Sequence, residues 1–337
     1  MLAQLDPTGV WESTANRSPE ASFFHTPYWA RILSKTFPGK YQIATKTFKR
    51  SDGTVAVLPM MGAGFELKGF FGSYLSNPLG VYGGFISESP ISGEEFQKLV
   101  ERLQWVRAKR VELFGNPFAE QPSSSCPSWE TRQNFTQVIR LDNAASQSEL
   151  TGRYTHLMRN HINRAMRRGY RVRLATLESE VERYHAIYEE AIKRYGNNAT
   201  SLYPVELFLN IFREGPDRSP IWLVLDNERV VGGAICFIHN GIWTAWNAAF
   251  LSEEFPYGVA KFLHNELIME AYRRGLRYYD FNPSGGHEGT VIFKEMFGAE
   301  KRHFVEMRWI GSNLYRQYRA MRSFPSRLSA GAQAPAA

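Results

Sequence analysis

The chain has 337 residues, of which 43% are hydrophobic, 14% aromatic and 22% charged, and its formal net charge is +7. The length suits two domains, and the balance of apolar and charged residues excludes wholesale disorder. The positive charge points to an anionic partner, such as a phosphate-bearing substrate, RNA or a membrane surface, set against the plain alternative of a mildly basic soluble protein.

Only Cys126 and Cys236 are present, far apart and without a C-x-x-C. That fits a reducing compartment and speaks against a disulfide framework or a zinc site. No basic segment followed by an apolar core opens the chain, so no signal peptide is expected. No apolar run reaches the ~18 residues of a transmembrane helix. The expectation is a cytoplasmic protein that binds no DNA, with peripheral contact at the inner membrane face left open.

In chain order, residues 23–33 read as the start of a helix, with Thr26 as N-cap and Pro27 at the first helical position. Trp29, Ile32 and Leu33 form its apolar side. Strands are predicted over 41–48 and 55–62, joined by a turn at Asp52-Gly53. Residues 69–85 hold five glycines among aromatic residues and read as a loop near a cleft or as an aromatic-packed connection. A helix over 94–107, a strand over 111–114, a Pro/Ser loop over 119–129 and a strand over 135–141 follow. Cys126 lies in that loop with no histidine nearby in sequence, so it reads as incidental.

Composition shifts at 143–150, which sets the predicted boundary: a first domain over 1–145, a second over 146–322 and a disordered tail over 323–337. Residues 153–173 carry seven arginines, Arg159 and Arg164 among them, and no acidic residue. Met158, Ile162 and Met166, with Leu157 and Ala165 alongside, place one apolar stripe on this basic helix, which Gly169 closes. Arginine suits phosphate through its planar fork of donors. A solvated basic face neutralised by Glu178, Glu180 or Glu182 is the alternative. Helices over 181–194 and 204–213 precede strands over 221–225, 229–239 and 242–250, with Gly232-Gly233 a candidate bulge and Asn247 in the last strand. A terminal strand over 304–310 and a basic helix over 313–322 close the ordered chain.

The organising stretch is 257–299. Val259, Leu263, Leu267 and Ala271 recur at helical spacing, and Gly275 stops that helix after Arg273-Arg274. A strand over 276–281 ends on Asp280, at the strand end where open α/β sheets place ligands. A loop with three glycines and a proline follows, and then Lys294 stands between Phe293 and Phe297 on a helical turn. The lone histidines His264 and His287 lack the spacing of a metal ligand set, so no metal is expected.

The ordered combination Gly275, Tyr279-Asp280-Phe281, Gly285-Gly286, Phe293-Lys294 and Phe297-Gly298 resembles the Fem family of peptidoglycan-bridge aminoacyltransferases and the acetyltransferase-like proteins grouped with them in the GNAT superfamily. The resemblance implies an α/β fold of mixed sheets, arranged as two tandem GNAT-like domains facing a cleft. It implies transfer of an acyl or aminoacyl group to an amine, with acyl-CoA or aminoacyl-tRNA as donor. In such chemistry orientation, loss of the amine proton and oxyanion stabilisation carry the rate. It implies that Lys294 supplies charge near the transferred group. Asp280 orients Lys294 or the nucleophile, or else satisfies backbone at its strand end. Tyr82 and Gly83 match a groove-lining stretch loosely, and Tyr257-Gly258 stand where GNAT proteins bind pyrophosphate on a helix N-terminus. Asn247 and Tyr279 complete the candidate substrate-binding set. The segment FPYGVAKF departs from the glycine-rich acyl-CoA signature, which keeps both donors open. Three functions follow: aminoacyl transfer to a cell-wall precursor, acyl-CoA-dependent transfer to an amino sugar or other small amine, or a non-catalytic scaffold holding an anionic partner.

Overall fold

The computed structural model describes residues 7–103, 107–120, 128–195 and 202–323. Cys126 and the predicted tail beyond residue 323 lie outside them. The chain opens with a helix the sequence pattern does not announce, α1 (Pro7–Arg17). A 3-10 turn over Phe23–His25 leads into α2 (Pro27–Thr36), where the Thr26 side chain accepts from the Trp29 backbone N–H and Pro27 begins the helix. Then come β1 (Tyr41–Ile43), β2 (Lys46–Lys49), β3 (Val55–Leu58), β4 (Met61–Glu66), β5 (Phe71–Leu75), α3 (Gly93–Glu101), β6 (Ala108–Phe114) and β7 (Glu130–Arg140). The glycine-rich stretch 69–85 is thus a strand followed by a loop.

The second half begins with α4 (Gln147–Gly152) and α5 (His156–Arg168), then β8 (Arg171–Leu174), α6 (Glu178–Tyr195) and α7 (Val205–Phe212). Gly169 ends α5 in the left-handed conformation. The buried face of α5 is Met158, Ile162 and Ala165, while Leu157 and Met166 are exposed, so the apolar stripe is narrower than the predicted one. The strands β9 (Ile221–Asp226), β10 (Arg229–His239) and β11 (Ile242–Phe250) form a meander. They are followed by α8 (Val259–Arg273), β12 (Tyr278–Asp280), α9 (Glu288–Glu295), β13 (Glu300–Ile310) and α10 (Asn313–Ser323). Val259, Leu263, Leu267 and Ala271 of α8 are all fully buried.

The mixed α/β class is the one the sequence predicts, but the strands are shared differently. In place of one sheet for each half, pairing joins both halves in an eleven-stranded sheet of order β1-β4-β5-β6-β13-β7-β12-β11-β10-β9-β8, with β2 and β3 as a separate pair. The join has a simple cause. The last strand, β13, returns to the first half and inserts between β6 and β7, and β7 in turn pairs antiparallel with β12. A core of buried side chains from both halves, including Trp29, Tyr82, Phe237 and Trp243, packs on this sheet. Trp29 is therefore core. Among the described residues no helix is long and apolar enough to cross a membrane.

Candidate active site

The strands β11 and β12 run parallel and pair only at Ile242–Tyr278, Trp243–Tyr279 and Thr244–Asp280. Beyond Thr244, β11 continues to Phe250 while β12 stops, so the two chains part. A cleft of ≈ 560 Å³ opens in the gap, lined by residues 245–248 on one side and 281–284 on the other, with His264 and Lys294 among its walls. A bulge helps to shape it. The pairing of β10 with β11 shifts between Ile235 and Cys236, which face Asn247 and Ala245, leaving Trp246 as the extra residue. Gly232 lies at a second shift, in the pairing of β10 with β9.

Asp280, at the end of β12, is fully buried. One carboxylate oxygen accepts from the Tyr82 hydroxyl at 2.7 Å and from Thr244 Oγ1 at 3.2 Å. The other accepts from Thr136 Oγ1 and from the Asn282 backbone N–H at 3.0 Å. Burial raises the Asp280 pKa, while these donors and the nearby Lys294 charge oppose the rise. Tyr82 and Thr136 belong to the first half of the chain and Thr244 and Asn282 to the second, so both halves hold this one carboxylate.

Lys294 is 5% exposed. Its ammonium donates to the Asn282 carbonyl at 2.6 Å and to Ser284 Oγ at 2.8 Å. Asn282 thus bridges the two charges, its N–H on Asp280 and its carbonyl on Lys294. It does so in the left-handed region at φ +60°, which asparagine tolerates better than most residues. Burial pushes the Lys294 pKa down to about 8, against the attraction of Asp280. The lysine is then mostly an ammonium at neutral pH, yet weakly solvated. His264, packed among Phe281, Phe293 and Phe297, has its Nδ1 2.8 Å from the Tyr279 hydroxyl. Burial, and then the Lys294 charge, push its pKa to about 3, so the imidazole is neutral. The Asn282 side-chain oxygen is buried with no hydrogen-bond partner among the described residues.

The other candidates fall in several places. Asn247 lines the cleft, its side-chain oxygen accepting from Tyr184 at 2.7 Å. Tyr279 is fully buried behind the wall and touches the cleft through His264. Gly83 is in the interior away from the cleft, where its carbonyl accepts from His25 Nε2 at 2.8 Å. Gly258 starts α8 at φ +81°, and a Cβ there would lie 3.0 Å from the His161 carbonyl oxygen, so the glycine lets α5 approach. Tyr257 is exposed, with the Arg168 guanidinium 4.1 Å over its ring.

The basic segment divides. Arg153, Arg168, Arg171 and Arg173 pair with Glu149, Asp226, Glu228 and Glu180 respectively. Arg159 donates to the carbonyls of Thr151, Gly152 and Tyr154, closing the end of α4. Arg164 and Arg167 are exposed with no ion-pair partner among the described residues. Arg164 and Lys261 both act on His161, whose pKa is lowered first by burial and then by these two charges. A cationic corner thus forms where α5 meets the start of α8. Sequence reasoning missed Thr136, Thr244, Asn282 and Ser284. Only the last two carried a signal, as polar residues in the loop between Asp280 and Lys294. Among the described residues no three His, Cys, Asp or Glu side chains are placed to hold a metal.

Parallel strands that part over a cleft, with a helix between them in sequence, place a ligand-sized gap at the strand ends of an α/β unit. Residues 154–294 match the family described as "Acetyltransferase (GNAT) domain". Among solved structures, FemX superposes with a TM-score of 0.68 at 12% identity, over 92% of this chain and 98% of FemX. A conserved protein of unknown function from Bacteroides thetaiotaomicron gives 0.56 at 12% identity, over 91% of this chain and 96% of that one. The C-terminal domain of an Agrobacterium fabrum protein described as a lysylphosphatidylglycerol synthetase gives 0.55 at 10% identity, over 94% of this chain and 96% of that one. No curated protein matches the sequence. The second half of the chain thus matches a GNAT acetyltransferase domain over residues 154–294, and the fold of the whole chain is like that of FemX.

Proposed function

We propose that this protein transfers an acyl or aminoacyl group to an amine of a cell-envelope precursor. The observation that carries the reading is a buried, partly desolvated ammonium, Lys294, at the wall of the cleft between β11 and β12. The acceptor amine attacks the donor's carbonyl carbon. A C–N bond forms while the C–O or C–S bond to the carrier breaks, the proton lost by the amine ends on the released hydroxyl or thiol of the carrier, and Lys294 meets the negative charge gathering on the carbonyl oxygen. Asp280 positions Lys294 through Asn282. The orphaned side-chain oxygen of Asn282 is an acceptor suited to the N–H of an incoming amine. A phosphate-bearing donor, acyl-CoA or aminoacyl-tRNA, finds cations at Arg164 and Lys261, with the His161 ring between them. The resemblance in fold to FemX and to the lysylphosphatidylglycerol synthetase domain favours an envelope acceptor over a free small amine.

The test offers the purified protein acetyl-CoA or aminoacyl-tRNA, each with a nucleotide-linked muropeptide or a free amino sugar. Product is read by mass spectrometry, and binding by the rise in melting temperature that a native-state ligand causes. A mass gain on the muropeptide amine is the expected result. Modification of the amino sugar alone would overturn the envelope assignment. Donor binding without transfer to any amine would instead favour a scaffold.

A further inference from the structure

A second surface, apart from the cleft, has a chemistry of its own. β4 ends at Glu66 and β5 begins at Phe71, so the turn between them projects from one end of the sheet. β6 starts beside β5, with Gly72 paired to Ala108, and β13 finishes beside β6, with Ile310 paired to Arg110. The start of α10 therefore emerges at the same end. Leu67, Phe70, Ile310 and Leu314 are exposed there by 56%, 37%, 57% and 40%. The α10 rings of Tyr315 and Tyr318 pack on Phe71, at 5.2 and 4.9 Å, which fixes the helix against the turn.

Two features separate this patch from ordinary scattered surface residues. Leu67 and Lys68 both sit in the left-handed region, at φ 49° and 52°. Asparagine or glycine would occupy such a turn with less strain, so turn geometry gives no reason for an exposed leucine. The apolar residues are also rimmed by cations. Arg107 lies 4.4 Å over the Phe70 ring, Lys68 is at the tip and Arg316 is on α10. The carboxylates of Glu66 and Glu112 are already paired with Lys109 and with Arg110 and Arg308. From Gly311 to Ala337 the sequence has four arginines and no acidic residue.

We propose that this end of the sheet docks on an anionic lipid bilayer, with Leu67 and Phe70 entering the headgroup boundary and the basic rim on lipid phosphates. An apolar tip inside a cationic rim is the arrangement that binds such interfaces, where buried apolar area and charge attraction add. RNA would use the rim and gain nothing from the four apolar side chains. The surface is independent of the cleft, so it stands whichever donor and acceptor the cleft takes.

The full-length protein is sedimented with vesicles of phosphatidylcholine alone and of phosphatidylcholine mixed with phosphatidylglycerol, at low and physiological salt. Binding is expected to the mixed vesicles and not to phosphatidylcholine. The double variant Leu67→Asn/Phe70→Ser should weaken it by about tenfold or more, given two apolar side chains lost from the interface. Leu67→Asn alone suits the turn and should melt no lower than wild type, so a loss of vesicle binding by that variant is not a folding defect. Arg107→Gln/Arg316→Gln should lower binding most at low salt. Three results would overturn the proposal: no binding to phosphatidylglycerol vesicles, undiminished binding by the double variant, or a dimer in solution that the double variant dissociates.

Discussion

Lys294 is held in the fold against the preference of its own charge, and replacing it with methionine measures how strongly. Burial lowers its pKa from 10.5 to about 8. That fall corresponds to about 3 kcal/mol spent on keeping the ammonium charged in the folded state. Methionine fills much the same space and removes that cost. Against this, the Asn282 carbonyl loses its partner, worth about 1–3 kcal/mol if it stays dry. Ser284 is only partly buried and can turn to water. The balance lies between zero and about 2 kcal/mol in favour of Lys294→Met at neutral pH, or a melting temperature higher by up to roughly 3 °C. The pH dependence has a definite sign. Between the folded value of about 8 and the unfolded 10.5, the unfolded chain binds the extra proton. Wild-type stability relative to the variant must therefore rise as pH climbs through that window and fall back as pH drops below it. Urea titrations of both proteins at several pH values between these limits supply the difference. A variant less stable than wild type by several kcal/mol, or a difference flat across the window, would show that Lys294 is a structural anchor and would refute the reasoning.

Three further outcomes follow from the same geometry. Ser284→Ala removes a partner of the ammonium, so the alkaline limb of the transfer rate, expected near pH 8, should move to lower pH with little change in melting temperature. Asn282→Gly keeps the left-handed backbone and both backbone bonds but deletes the orphaned oxygen; it should raise KM for the amine about tenfold, leaving donor binding unchanged in calorimetry. Arg164→Ala should weaken binding of a phosphate-bearing donor and flatten its dependence on salt, whereas Arg159→Ala should cost about 1 kcal/mol of stability and leave the salt dependence intact, because its donors are spent on carbonyls.

Local signals in the sequence were reliable where the physics is local. The N-cap at Thr26, the stop at Gly169 and the buried face of α8 are set by neighbours within a turn or two. The start of the basic helix was less legible: α5 begins at His156, three residues after Arg153, and a separate short helix, α4, precedes it. The joining of the two halves could not be read at all. β7 and β13 look like ordinary strands of their own halves, and only long-range pairing brings them together. The site shows the same division. Asp280 and Lys294 stand out in sequence because a strand end, a glycine-rich loop and a lysine between two aromatic residues follow in order. Thr136 and Thr244 do not, since a threonine in a strand reads as β-propensity until its hydroxyl is seen to face a carboxylate. Gly83 was misplaced for the opposite reason: a glycine that admits a close approach looks the same whether ligand or protein approaches, and here its neighbours are Ser76 and Asn77.

The central claim is that the cleft between β11 and β12 is where transfer occurs and that the Lys294 ammonium drives it. Single-turnover transfer from a saturating labelled donor to an amine acceptor, compared between wild type and Lys294→Ala, addresses it most directly. The account predicts a rate lower by ~100-fold or more in the variant, with donor affinity changed little and with little recovery in Lys294→Arg, whose planar guanidinium does not replace a compact ammonium. Equal single-turnover rates in wild type and Lys294→Ala would contradict it.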